Sequence, residues 1–173
     1  MLYNLLFPLA NDISVFNLFR YITLRTGGAT VTALFVSFVL GPMVIRWLKS
    51  KQAEGQPIRE DGPPSHLITK KGTPTMGGVL ILLALGIATL LWADLTNEYV
   101  WAVLLVTIGF GAIGFIDDYK KLTKRSSDGL SGRVKLVLQI IIGGAATIWI
   151  TAISEPQLSN GLAIPFVKDF LVP

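Results

Sequence analysis

The sequence predicts an all-α, polytopic transmembrane protein forming a single domain over residues 1–173. Three observations predict it: long runs without charge, a lopsided distribution of basic residues, and aromatic residues at the ends of the uncharged runs. Hydrophobic residues make up 51% of the chain and charged residues only 15%. No Asp, Glu, Lys or Arg lies between Arg25 and Arg46, a run of 20 residues. The runs Lys71 to Asp94, Glu98 to Asp117 and Lys135 to Glu155 are 22, 18 and 19 residues long. A helix needs about 20 apolar residues to cross the hydrocarbon core of a bilayer. Four spans are therefore expected, over about 26–48, 74–93, 99–117 and 134–153. The two-residue alternation of a membrane barrel is absent.

The basic residues orient the spans. The expected loops 49–73 and 118–133, with their flanks, carry 12 of the 15 lysines and arginines; only Arg20, Arg25 and Lys168 lie elsewhere. The positive-inside rule puts both loops in the cytoplasm. The N-terminus, the turn Asp94 to Glu98 and the tail after Glu155 then face outward. Trp47, Trp92, Tyr99 and Trp101 fall near span ends, where interfacial aromatics sit. The formal charge of +4 is accounted for by these loops, so no nucleic-acid partner is expected. The chain has no cysteine, which excludes disulfides and thiolate metal sites.

The flanks of the spans are less regular. Leu2 to Phe19 is apolar but interrupted by Pro8 and Asp12, and no basic residue precedes Arg20. It reads as an interfacial segment, not a secretory signal. Gly161 to Phe170 reads as a short extended segment outside the membrane. A strand needs a partner, and none is evident before Pro173, so the polypeptide is expected to continue.

The first loop contains Pro57, Gly62, Pro63 and Pro64, which make it a true loop. It ends Lys70-Lys71-Gly72-Thr73-Pro74-Thr75-Met76-Gly77-Gly78. Thr73 suits an N-cap and Pro74 the first helical position, so the second span is expected to start there. Its amides and positive dipole end would face the loop and suit an anion. Lys70 and Thr75 would then meet a phosphate, with Lys71 adding charge beside them. Gly77 and Gly78 would permit another backbone close by. His66, the only histidine, reads as a solvated or structural residue.

The third span runs into Gly114-Phe115-Ile116-Asp117-Asp118-Tyr119-Lys120-Lys121. Two adjacent carboxylates at a helix C-terminus face the negative dipole end and each other's charge. Something positive should offset both costs. Lysines 120, 121 and 124 could do so, and so could a magnesium ion, since hard cations prefer carboxylate oxygens. Gly109, Gly111 and Gly114 suit close helix packing. With Arg133, the two loops together suit a magnesium-bound diphosphate at the membrane surface. There Asp117 and Asp118 are the candidate catalytic and metal-binding residues. Lys70, Thr75, Lys121 and Arg133 are the candidate substrate-binding residues.

The runs Arg59-Glu60-Asp61-Gly62-Pro63-Pro64-Ser65-His66, Lys70 to Gly78, and Gly114 to Lys121 resemble the polyprenyl-phosphate sugar-1-phosphate transferase superfamily, in its phospho-N-acetylmuramoyl-pentapeptide transferase branch. The aspartate pair is shared broadly across the superfamily, whereas the Gly-Thr-Pro-Thr-Met-Gly-Gly run is specific to the branch. The resemblance covers essentially the whole chain. It implies a fold of ten spans in the bacterial inner membrane, with its active site in the cytoplasm. It implies transfer of phospho-MurNAc-pentapeptide from UDP-MurNAc-pentapeptide to undecaprenyl phosphate, giving lipid I and UMP, with magnesium. A homodimer is compatible with it.

The resemblance also implies about twice this length. A later metal-binding aspartate, an Asn-and-Asp-rich nucleotide loop and a histidine cluster are not among these residues. No catalysis is expected of the 173 residues alone. Two alternatives are a related polyprenyl-phosphate N-acetylhexosamine-1-phosphate transferase, against which the branch-specific loop argues, and a non-catalytic membrane protein. A transporter would place ionisable residues at mid-membrane, where this chain has none. An aspartate could position or deprotonate the lipid phosphate, or attack first and form an acyl phosphate. The direct route is preferred, because a lipid phosphate is already an anionic nucleophile.

Overall fold

A computed structural model describes residues 1–52, 75–124, 128–154, 162–163 and 171–172. Helix α1 (Leu2–Leu6) leads through two 3₁₀ segments, Phe7–Asn11 and Ser14–Arg20, into α2 (Ile22–Lys51). Helices α3 (Gly78–Trp92), α4 (Glu98–Lys124) and α5 (Gly132–Ile153) follow. Helices α2, α4 and α5 are each long and apolar enough to cross a membrane. The chain is an all-α polytopic membrane protein.

Packing runs in a row: α2 against α3, α3 against α4, and α4 against α5. Contact surfaces are built from small residues. Ala84, Ala88 and Ala102 are among the few buried apolar side chains. A Cβ on Gly111 would collide with the Leu82 side chain as it stands, so the absence of a side chain at position 111 helps α3 and α4 approach closely. Most large apolar residues face outward, with Phe38 78% and Ile148 73% exposed. Exposed apolar area on that scale suits hydrocarbon, not water.

Helix α3 has 15 residues, which at about 1.5 Å each is shorter than the ~30 Å core. Its contacts nevertheless tie its two ends to widely separated points on α2. The Trp92 indole donates to Thr32 Oγ1 (2.9 Å), and Thr75, just before the helix, is hydrogen-bonded to Gln52. On α2, Thr32 and Gln52 stand about 30 Å apart along the axis. The segment Thr75–Trp92 therefore runs antiparallel to α2 over a full membrane thickness. The other ends align with it. The Tyr99 hydroxyl meets Ser154 Oγ at 3.2 Å in one plane, and Asp117 meets Lys135 at 2.9 Å in the other.

Several boundaries differ from the sequence expectation. Thr73 and Pro74 lie outside the described residues, and 75–77 are not helical; α3 starts at Gly78, with Gly77 as its N-cap. The cause is Met76, whose φ of 72° is left-handed and breaks the helical path. No described atom lies within 4 Å of a Cβ built on Gly77, Gly78 or Gly114, so the close approach expected there is not observed. Helix α4 does not stop at Asp117 but continues to Lys124. Apolarity ends at the membrane surface, whereas the helix goes on through lysines, which are good helix formers. Helices α2 and α5 also extend beyond the expected spans, by four and two residues at their starts. In the tail, Leu162–Ala163 (β1) pairs antiparallel with Leu171–Val172 (β2). The strand partner thought missing lies within the tail itself.

The plane opposite the aspartates is stitched by polar contacts. Asn4 donates to Asp94 Oδ1 (2.9 Å) and accepts from the Leu95 amide (3.1 Å). Thr96 donates to the same Asp94 oxygen through hydroxyl and amide. Arg25 lies 4.4 Å from the Tyr3 ring centroid, and the Phe19 and Trp92 rings stack. The N-terminal segment is thereby docked on the turn between α3 and α4.

Candidate functional site

Five chain segments converge at the other plane. Helix α4 presents Asp117, Asp118 and Lys121. At helical spacings of three and four, one lysine reaches both carboxylates. Lys121 Nζ lies 2.7 Å from Asp117 Oδ2 and 3.4 Å from Asp118 Oδ1. Helix α5 presents Lys135, whose Nζ lies 2.9 Å from Asp117 Oδ1. The loop before α5 adds the Leu130 amide, which donates to Asp117 Oδ1 at 2.6 Å. Thr75 Oγ1, ahead of α3, donates to Asp118 Oδ2 at 2.7 Å. The end of α2 supplies Gln52, whose carboxamide holds the Thr75 backbone: Thr75 N–H donates to Oε1 (2.9 Å) and Nε2 donates to Thr75 O (3.2 Å).

The two aspartates differ. The Asp117 side chain is only 10% exposed, and both its oxygens are committed to lysines and an amide. Two ammonium groups and an N–H meet one buried carboxylate, so its charge is balanced locally. Of the lysines expected to offset the charge, Lys121 does so at Asp117, and Lys135 joins it. Asp118 is 28% exposed; its Oδ1 faces Lys121 only at 3.4 Å and keeps lone pairs open. The pair also does not sit at a helix end, because α4 runs on to Lys124 and the dipole penalty is correspondingly weaker.

Gly129 explains how the loop fits. A Cβ there would overlap the Asp117 carboxylate and crowd Lys121. Only a residue without a side chain lets the Leu130 amide reach Asp117. Ser131 caps α5, its side chain accepting from the Val134 amide, and this sets the register that aims Lys135 at the aspartates.

Among the candidate residues, the structure brings Asp117, Asp118, Thr75 and Lys121 together. It does not bring Arg133. Arg133 is exposed, and among the described residues it forms no ion pair with either aspartate. Two residues apart on a helix means about 200° of rotation, so Arg133 and Lys135 point to opposite sides. Lys70 and His66 lie outside the described residues. Gln52, Gly129, Leu130 and Lys135 were not picked out from sequence. Lys135 carried a usable signal, since it stands four residues past the cap Ser131 on the first turn of an amphipathic start.

The donor set suits a hard divalent cation. Magnesium is commonly held by one or two carboxylates, with substrate phosphates and waters filling the remaining positions. Asp118 offers an open oxygen for this; Asp117 would have to exchange a lysine. Among the described residues no group of three or more acidic or histidine side chains gathers, so other ligands would come from substrate, solvent or elsewhere.

Comparison with known proteins bears on the same residues. Signature 1 of phospho-N-acetylmuramoyl-pentapeptide-transferase matches residues 70–82, the stretch that contains Thr75. Proteins named phospho-N-acetylmuramoyl-pentapeptide-transferase align along the chain. The one from Granulibacter bethesdensis is 65% identical over 173 residues, 100% of this chain and 48% of the relative. The one from Maricaulis maris is 53% identical over 99% of this chain and 48% of the relative. The one from Pelobacter propionicus is 54% identical over 98% and 46% respectively. The chain spans about half the length of the curated relatives it matches. The chain thus carries signature 1 of phospho-N-acetylmuramoyl-pentapeptide-transferase on the Thr75 segment and is similar along its whole length to about half the length of proteins of that name.

Proposed function

We propose that this chain supplies the Asp117–Asp118 part of an enzyme that moves phospho-MurNAc-pentapeptide from its UDP donor to undecaprenyl phosphate. The products are lipid I and UMP. The observation that carries the proposal is the location of the Thr75–Asp118–Lys121–Asp117–Lys135 network. It lies where helices leave the membrane, on the side with most of the basic residues. A lipid phosphate and a water-soluble nucleotide can meet only at such a plane. By the positive-inside rule the plane faces the cytoplasm of a bacterial inner membrane.

In the direct route, an oxygen of the lipid phosphate attacks the sugar-bearing phosphorus of the donor. The new P–O bond forms as the bond to the UMP phosphate breaks, and UMP leaves with the electron pair. This chemistry needs positioning and charge stabilisation more than covalent protein chemistry. Asp118, held by the Thr75 hydroxyl, orients the lipid phosphate and takes up a proton if the phosphate carries one. Lys121 and Lys135, now paired with Asp117, are close enough to turn toward diphosphate oxygens and stabilise charge there. Asp117 keeps both ammonium groups gathered in one place. Asp118, through its open oxygen, would hold magnesium, with Asp117 joining it where a lysine turns away to the diphosphate; the ion would supply further neutralisation of the diphosphate when bound.

The test uses a family-length protein carrying this sequence. Asp117→Asn and Asp118→Asn should each lower turnover about 100-fold or more, as loss of a key polar group does. Near-normal turnover of both variants at saturating magnesium would falsify the site assignment. A trapped phospho-aspartate would keep the site and sink the direct route. UDP-MurNAc-pentapeptide should be used in strong preference to UDP-GlcNAc, and the reverse preference would favour the related hexosamine transferase.

A further inference from the structure

The Thr75 segment poses a problem that Gln52 solves. Thr75 lies outside α3, and Met76 beside it has the left-handed φ of 72°. A residue with a side chain adopts that conformation only where its surroundings impose it. Among the described residues, the Thr75 N–H and C=O find their partner in the Gln52 carboxamide, which bonds both at once. The Gln52 amide acts as a substitute backbone strand one residue long. Gln52 is 8% exposed, and its own N–H is fixed to the carbonyls of Leu48 and Lys49 at the end of α2. A rigid chain of contacts thus runs from α2 through Gln52 to the Thr75 backbone, and from the Thr75 hydroxyl to Asp118 on α4.

We infer that Gln52 is a positioning residue for the reaction: it acts through Thr75 to fix how Asp118 is presented. This rests on the reading that Asp118 works at the reacting phosphates. The Gln52 side chain hydrogen-bonds Thr75 and neither aspartate. Its role is to remove the rotational freedom of the segment that holds Asp118, where displacements of an ångström are costly to rate. A buried carboxamide making two hydrogen bonds to one residue's backbone does more than cap a helix. The α2 cap is made by the Gln52 backbone N–H and needs no particular side chain.

The experiment is a double-mutant cycle in a family-length protein carrying this sequence. Gln52→Met keeps the side-chain volume and the backbone cap but removes both hydrogen bonds. It should lower kcat about 10-fold or more, with KM changed less than about 2-fold, since the loss falls on the transition state. Thr75→Ala should lower kcat as well, and Gln52→Met added to Thr75→Ala should cost little more. Such non-additivity is expected when one residue acts through the other. Losses that multiply would mean that Gln52 acts independently of Thr75, and unchanged kcat in Gln52→Met would mean that it does nothing; either overturns the inference. Gln52→Glu keeps the acceptor for the Thr75 N–H and loses the donor to its carbonyl, so it should fall between Gln52→Met and wild type. If Gln52→Met does not accumulate in the membrane, the same cycle with Gln52→Glu decides. Should Thr75→Ala and Asp118→Asn both keep full turnover, the site reading fails instead of the Gln52 role.

Discussion

Although adjacent, Asp117 and Asp118 should respond very differently to the same substitution. Asp117→Asn keeps the shape and leaves a carbonyl that can still accept from the Leu130 amide. It removes the charge that two ammonium groups share, and it can place an NH₂ against one of them. The Lys121 and Lys135 side chains are 32% and 37% exposed, so water competes for them. Each ion pair then contributes about 0.5–1 kcal/mol, not a fully buried value. Converting the Leu130 contact from a charged to a neutral acceptor loses roughly a further 0.5–1 kcal/mol. The sum is about 2 kcal/mol. For Asp118→Asn, the Thr75 hydroxyl finds an equivalent carbonyl and only the 3.4 Å contact to Lys121 is weakened, about 0.5 kcal/mol at most.

At about 2–4 °C per kcal/mol for a chain of this size, Asp117→Asn should lower Tm by about 4–8 °C and Asp118→Asn by no more than about 2 °C. Tryptophan fluorescence of the detergent-solubilised protein during heating measures this. Turnover should fall in both variants, so stability and activity separate the two roles: one aspartate gathers the lysines, the other works at the phosphates. Equal melting shifts, or a larger one for Asp118→Asn, would refute the argument that Asp117 anchors the network.

Four further outcomes are expected. Gly129→Ala forces a methyl group into the Asp117 carboxylate, so it should destabilise by about 1–3 kcal/mol and speed hydrogen exchange at the Leu130 amide. The Thr96 hydroxyl bond holds Asp94 below the usual carboxylate range. The stability Asp94 confers is present above its unfolded value and is lost as pH falls through the folded one. Below about pH 4, emission of the adjacent Trp92 and Trp101 should therefore shift, and Asp94→Asn should show no such acid-induced shift. Cysteines placed by Ser65→Cys and Ser126→Cys should resist an impermeant thiol reagent applied to whole cells, whereas ready labelling would reverse the orientation. Lys70→Ala in a family-length protein should impair substrate affinity or turnover without loss of membrane insertion, and unchanged kinetics would remove Lys70 from the site.

The spans were legible because the bilayer acts on each helix separately, through the sum of its own side chains. Uncharged runs therefore located α2, α4 and α5 without knowledge of any neighbour. The same signal could not locate helix ends, because a run of apolar residues measures the membrane and not the helix. That is why α4 was expected to stop at Asp117 when it continues to Lys124, and why the aspartates were placed in a dipole field they largely escape. The start of α3 failed for another reason. Thr73 and Pro74 carry good local capping chemistry, but Met76 turns left-handed and the Thr75 backbone is bonded to Gln52, 23 residues earlier. A contact across that separation leaves no periodicity to read.

The choice between Arg133 and Lys135 shows where the limit lies. Both are basic, both follow the same loop, and composition alone cannot separate them. What separates them is the register of α5, fixed by the Ser131 cap and by a loop that fits only because Gly129 has no side chain. Once α5 is known to begin at Gly132, a 200° rotation between the two residues assigns the inward side to Lys135. Chemistry at this site was thus visible as residue types near Asp117 and Asp118. Which of those residues reach the aspartates depends on two features without chemistry of their own, a glycine and a helix cap. A cap substitution such as Ser131→Ala should therefore weaken the Lys135–Asp117 pair without touching either residue.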